Sequence, residues 1–369
     1  MYFRFYRIVL FCCVFILSPV VFAQDQNEGE AAKPAVKTKP KKESPMKGQT
    51  KDLEGDWFMT DEDHPVKLSA TYYFGNADKE TVPVLLLHDL NGSRRDFAPL
   101  IDRLVKAGYA VLAADFRGHG KSTKRYEITP PKIELKTTTV SKNRNNSGGR
   151  GQKPKTITQP VVTAPASRKL IDYLVEDFQP DDFRAMIRAD LPLLRENLEN
   201  VHIEGMINLN RLVVVGIGRG AAAAAFWTMQ DWRDRKSDRF TKTLVLIAPA
   251  SIDATTDFSK LFEPNKWIRD DVAIMFAVPN NDLASQGLAN KLRTALLDKD
   301  AGEDKSKFPI FTYPIEKTVK TDKGETKAPM TMAETFSSGE AKLGQTVFEF
   351  IDKRNKAFEE KEARWTKLK

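Results

Sequence analysis

Residues 82–88 read VPVLLLH, residues 109–114 YAVLAA, 211–216 RLVVVG, 243–248 TLVLIA and 271–278 DVAIMFAV. Each run has strand length and is apolar without a break, the pattern of strands covered on both faces in a parallel sheet. Between them, Asp96–Ala107, Asp181–Leu198 and Ala284–Leu297 carry apolar residues at helical spacing. Asp96 and Asp181 are placed as their N-terminal caps. Strand, helix, strand, helix predicts a three-layer α/β sandwich with a mostly parallel sheet and right-handed crossovers. In such sheets the site lies at the carboxyl ends of the strands. The loops that begin at His88, Asp115, Gly216, Pro249 and Pro279 are therefore the ones to read for chemistry.

The chain has 369 residues, 41% of them hydrophobic and 29% charged. That composition supports a large core and excludes wholesale disorder, a collagen-like repeat or a multi-span membrane protein. The first 23 residues differ from the rest. Arg4 and Arg7 precede an apolar run from Ile8 to Leu17, and Val21-Phe22-Ala23 supplies a processing site, so 1–23 reads as a secretory signal peptide. The run is too short for a transmembrane anchor. Export to a periplasmic or extracellular space is expected, and after cleavage no cysteine remains. Disulfides, thiolate nucleophiles and cysteine-held metals are thereby excluded from the mature chain.

The charge is concentrated. The whole chain carries +8, and without the two leader arginines 56 basic residues face 50 acidic ones, +6. From Lys121 to Lys169, twelve Lys and Arg stand against Glu127 and Glu134; from Gln24 to Lys51, seven Lys stand against four acids. Residues 24–51 read as a Lys/Pro-rich disordered tether. Residues 52–369 read as a single domain, with a basic loop inserted at about 123–168 and expected to be solvated. With Tyr126 as its one aromatic, that insertion lacks the stacking side chains of a single-strand nucleic-acid binder. The partner it implies is a polyanion of the cell envelope, held weakly; no nucleic acid is expected, and no transmembrane span after cleavage.

Two further stretches carry a resemblance. VLLLHDLNGS at 84–93 followed by GYAVLAADFRGHGKS at 108–122, and later VVVGIGRG at 213–220, resemble the third strand, fourth strand and strand-to-helix elbow of the α/β-hydrolase superfamily. The likeness runs from about Val66 to Ser122 and again from Asp181 to about Asp282, and D-x-R-G-x-G-x-S at Asp115–Ser122 is its most specific part. It implies an α/β-hydrolase fold and, in its active members, ester or amide hydrolysis by a Ser-acid-His triad. The backbone N–H groups of Leu90 and Arg219 match the position of the family's oxyanion hole.

At the elbow this sequence departs from the family. The nucleophile position is Gly218, which can hold a positive-φ turn and cannot attack a carbonyl. The four histidines, His64, His88, His119 and His202, all precede it, and residues 332–343, where the triad base would fall, contain none. Proton transfer and covalent catalysis lose their agents together. Asp282 resembles the triad acid, with a helix cap as the plainer role. The expectation is a pseudo-hydrolase that binds a small carboxylate or other anion through Leu90, Arg219, His88 and Asp89. The alternative is an active esterase-, lipase- or peptidase-like enzyme with a rearranged site using Ser93, Ser122 or Ser251 with Asp253 or Asp282. His88, Asp89, Asp115 and His119 form a conceivable metal set, yet no ligand spacing of the HExxH type is present, so neither a metal nor a cofactor is expected.

Overall fold

The structure is a computed structural model that describes residues 48–53, 65–140, 155–164, 167–234, 239–251, 266–297, 308–321, 324–360 and 366. All of them lie in one compact unit, Ser44–Lys369. The expected signal peptide and the tether as far as residue 47 lie outside the described residues.

Eight strands make the central sheet. In spatial order they are β1 (Thr50–Leu53), β3 (Ser69–Tyr73), β5 (Ala110–Asp115), β4 (Pro83–Leu87), β10 (Leu212–Ile217), β11 (Thr241–Ile247), β12 (Ala273–Pro279) and β13 (Ile310–Tyr313). β1 and β3 run antiparallel to their neighbours, and every pair from β5 to β13 is parallel. The five apolar runs are the five central strands. β1 begins at Thr50, so the last two residues of the expected tether belong to the sheet.

Register explains why these strands are apolar throughout. Leu85 sits opposite Leu112 and Val214, while Val84 sits opposite Val111 and Val213. Leu85, Leu87, Leu112 and Val214 point into one core with the buried faces of α3 (Leu191–Ile203), α4 (Arg219–Asp234) and α6 (Leu283–Leu296). Val84, Leu86, Val111 and Val213 point into a second core with α1 (Ala98–Lys106), α7 (Met332–Ser337) and α8 (Leu343–Glu360). Two cores on opposite faces of one sheet are the three layers that the sequence predicts.

Two helix starts differ from expectation. Ser93, not Asp96, is the cap: its Oγ accepts from Arg95 N, and Asp96 returns a bond from Ser93 N at 2.9 Å, closing a capping box on a short 3₁₀ turn before α1. Gln179 takes the cap position expected for Asp181, which falls in the first turn of α2 (Pro180–Ala185). The single helix expected over 181–198 is broken by a π-helical turn at Met186–Asp190 between α2 and α3.

The described parts of the basic insertion are strands and not a loop, though largely exposed to solvent. β6 (Lys124–Thr129) pairs with β9 (Ser167–Asp172) and with β2 (Val66–Lys67), and β7 (Lys132–Val140) pairs with β8 (Lys155–Ala164) in a separate antiparallel ribbon. Its charge masks a β-branched run, Thr137-Thr138-Thr139-Val140, that suits a strand. The Lys142–Gly151 stretch and its flanks, 141–154, lie outside the described residues. A further hairpin, β14 (Glu316–Thr321) with β15 (Gly324–Pro329), follows β13. Among the described residues no helix is long and apolar enough to cross a membrane.

Candidate functional site

β10 ends at Ile217, Gly218 turns with φ +57°, and α4 starts at Arg219. The turn is pinned from both sides: Gly218 N donates to Ile247 O at 2.9 Å, and Ala250 N donates to Gly218 O at 3.2 Å. Ala221–Ala225 are wholly buried, which brings α4 close onto the sheet. A Cβ on Gly220 would stand 2.2 Å from His88 O, so only glycine fits that approach. Sharp turn, positive φ and helix N-terminus together make the geometry of a nucleophile elbow.

The space where a nucleophile side chain would stand is filled. A Cβ on Gly218 would lie 2.1 Å from Asp89 Cγ. Asp89 Oδ1 accepts from Leu90 N and from Arg219 N, both at 2.8 Å. Those are the two N–H groups that the sequence assigns to an oxyanion hole, and the chain's own carboxylate occupies them in the manner of a bound oxyanion. Burial raises the Asp89 pKa, with the Arg219 and Leu90 N–H groups and the Arg219 charge pulling it back. The Arg219 side chain itself is exposed. The sequence holds a signal for this plug, an acid directly after the strand-ending His88 facing a position without a side chain. Only the fold shows that the two meet.

His88 and Asp115 are occupied by structure. His88 Nδ1 donates to Asp89 O at 2.6 Å while Nε2 accepts from Phe116 N at 2.9 Å, which fixes a neutral ring. Burial lowers its pKa to about 4. Asp115 Oδ1 accepts from Arg94 N, and its Oδ2 accepts from Lys121 N and the Arg94 guanidinium, each within 2.9 Å. Ser122 Oγ donates to Asp115 O and accepts from Ser69 N, both at 2.8 Å, tying β5 to β3. Arg117 forms a buried two-pronged pair with Asp190, Nε–Oδ2 2.9 Å and Nη2–Oδ1 2.6 Å. The π turn carries Asp190 to that position. The D-x-R-G-x-G-x-S stretch is thus a knot that holds β3, β5, the loop before α1 and the break before α3.

His119 is the exception. It is 3% exposed, its Nδ1 bonds Arg117 O at 2.7 Å, and its Nε2 has no partner among the described residues. Its ring lies 5.3 Å from that of His88 and 5.9 Å from that of Phe178. Burial lowers its pKa, with Asp115 and Asp89 acting in the other direction. Among the described residues no group of three or more His, Cys, Asp or Glu side chains is placed to hold a metal ion.

On the far side of the elbow, Asp282 caps α6. Its Oδ1 accepts from Ser285 N at 3.0 Å and its Oδ2 from the Ser285 hydroxyl. Residues 332–337 form α7, capped by Thr331 in a box with Glu334. Of the serines considered for a rearranged site, Ser122 is buried in the knot, Ser93 is a helix cap, and Ser251 is exposed beside the residue that bonds Gly218 O. Asp253 lies outside the described residues.

The strand order, the two antiparallel strands at one edge, the elbow after β10 and the placement of helices on both faces define an α/β-hydrolase fold. The serine aminopeptidase family, S33, matches residues 79–133, from the turn before β4 to the start of β7, and stops short of the elbow. No curated protein matches the chain in sequence. Among solved structures, it is similar to a fungal esterase from Rhizomucor miehei (14% identity, TM-score 0.44, 84% of this chain and 85% of that one). An esterase from Pyrococcus furiosus is comparable (17%, TM-score 0.41, 83% and 92%), as is a dienelactone hydrolase from Anabaena variabilis (12%, TM-score 0.39, 83% and 98%).

Proposed function

We propose that the protein is an exported pseudo-hydrolase, a binding or scaffold protein that keeps the α/β-hydrolase fold without its catalysis. The observation that carries this reading is the Asp89 carboxylate seated on the N–H groups of Leu90 and Arg219 over an elbow that has no side chain. A substrate carbonyl would find neither a nucleophile beneath it nor a free donor pair beside it. The sequence after β13 adds no imidazole. A small anion reaches Leu90 and Arg219 only by displacing Asp89, so binding there is an exchange of carboxylates. Export rests on the leader-like residues 1–23, and the basic insertion adds a contact to envelope polyanions.

One observation favours the alternative, an active ester or amide hydrolase. Ser251 is exposed next to Ala250, whose N–H bonds Gly218 O. The purified protein is expected neither to label with a serine-directed fluorophosphonate nor to hydrolyse aryl esters above background, and Gly218→Ser is expected to restore neither. Stoichiometric labelling of the wild type overturns the proposal, and an adduct mapped to Ser251 or Ser93 establishes the rearranged site.

A further inference from the structure

The β7–β8 ribbon separates its residues by face. Ile133, Leu135 and Thr137 alternate with Lys132, Glu134 and Lys136 along β7, and the register sets Leu135 opposite Pro160 and Thr137 opposite Thr158. The Thr137 and Thr158 hydroxyls meet at 3.2 Å on one face, and Lys132 and Glu134 pair at 3.1 Å on the other. One face, Ile133, Leu135, Thr137, Thr158 and Pro160, therefore carries no charge. All five are exposed, Ile133 by 56% and Leu135 by 72%. Nine residues of strand make an arm of about 30 Å. A two-stranded ribbon with an apolar face open to water is poorly stable by itself, so that face needs an occupant.

Area and charge select the occupant. Five strand residues present on the order of a few hundred Å², short of the roughly 800 Å² per partner that a stable protein contact takes. The face also lacks the Trp, Tyr or Arg anchors on which such contacts depend. A lipid surface asks less: shallow burial of two or three aliphatic side chains, with cations beside them to meet anionic headgroups. The insertion that carries it is cationic, with Lys136 on the other face of β7 and Arg168 and Lys169 on β9. Lys136, Arg168 and Lys169 are exposed with no carboxylate partner among the described residues, and the segment Lys121–Lys169 carries ten more positive than negative charges.

We propose that the β7–β8 arm docks on an anionic phospholipid surface, its uncharged face sunk into the headgroup layer and the net positive charge of the surrounding insertion drawing it to the phosphates. The proposal rests on the polyanion contact proposed above and gives it a source.

The test is cosedimentation of the full chain with vesicles of phosphatidylcholine alone, or with about a third phosphatidylglycerol, at about 0.1 M salt. Binding is expected only to the anionic vesicles, to weaken with salt, and to fall about fivefold for each charge removed in Lys136→Gln, Arg168→Gln and Lys169→Gln. Ile133→Ser with Leu135→Ser is expected to cost tenfold or more while leaving the salt dependence and the melting temperature unchanged. Equal binding by that double variant, or equal binding to both vesicles, overturns the lipid proposal. Binding to soluble dextran sulfate without binding to vesicles overturns it too, and keeps the polyanion reading; binding to neither removes both. A loss of self-association in the double variant, without vesicle binding, makes the face a protein contact and refutes the proposal.

Discussion

Gly218→Ala tests the plugged elbow most directly. The new methyl meets two obstacles: a backbone φ of +57°, and the Asp89 carboxylate 2.1–2.3 Å from where its carbon would sit. The left-handed conformation costs a non-glycine residue roughly 1–2 kcal/mol. Driving Asp89 out forfeits two charge-assisted hydrogen bonds, which at half-buried exposure we take as about 1–3 kcal/mol together. The variant should lose about 2–5 kcal/mol in all, by the sum of those two costs. Asp89→Ala should lose only the second part, since it removes the carboxylate but leaves the glycine turn. In the double variant the methyl enters space that Asp89 has vacated, and only the backbone cost is added. The pair should therefore fall short of additivity by about 1–3 kcal/mol, well outside the scatter of independent sites. Urea unfolding of the four proteins, with m held constant, measures this coupling. A coupling under about 0.5 kcal/mol would mean that Asp89 does not fill the elbow, and the structural basis for the proposed inactivity would fail with it.

Two further outcomes follow from groups around the elbow. His88 is held neutral with its pKa lowered to about 4, so the folded state binds fewer protons than the unfolded state between that value and about 6.5. Its contribution is present above pH 6.5 and lost as the pH falls, with up to about 3 kcal/mol at stake. His119 acts in the same sense, whereas the raised Asp89 pKa opposes both. Urea midpoints taken from pH 7 to 4.5 should decline, and a flat profile would show that His88 is not a buried neutral ring. The buried pair Arg117–Asp190 gives the other outcome. Asp190→Asn should cost about 1–3 kcal/mol by removing the charge from the two-pronged pair, with Asp182 3.7 Å from Arg117 Nη1 as the remaining counter-charge, while Arg117→Met with Asp190→Leu should recover most of that loss. Equal melting temperatures for the single and double variants would contradict it.

What the sequence makes legible here is what burial dictates. Five apolar runs form the central strands because each strand needs apolar residues on both faces, whereas the knot at 115–122 is closed in part by partners 21 to 73 residues away, Arg94, Ser69 and Asp190, that no local pattern names. The cap before α1 stands three residues ahead of Asp96 because Ser93 and Asp96 share one reciprocal motif, and local sequence does not say which of them stands first; the cap before α2 stands two residues ahead of Asp181. The basic insertion reads as a loop because charge and glycine dominate its composition, whereas pairing is decided by alternation along Ile133, Leu135 and Thr137. The Asp89 plug is invisible in one dimension: Asp89 and Arg219 are 130 residues apart, and nothing local to either shows their meeting.

A catalytic elbow in this fold keeps strain and unmet donors in readiness for a transition state, at a cost in stability. Here each of those costs is removed. The positive φ falls on glycine, the donor pair is closed by Asp89, the position of the acid is a helix cap, and His88 is bonded at both nitrogens. Loss of the nucleophile alone would leave two N–H groups pointing into an empty cleft. Closing them with an internal carboxylate turns the cleft floor into ordinary satisfied structure, and it makes the glycine and the aspartate a matched pair. A serine restored at 218 would confront that carboxylate before any substrate. On the pseudo-hydrolase reading proposed above, a route back to catalysis needs changes at 89, at 218 and in the segment after β13 together.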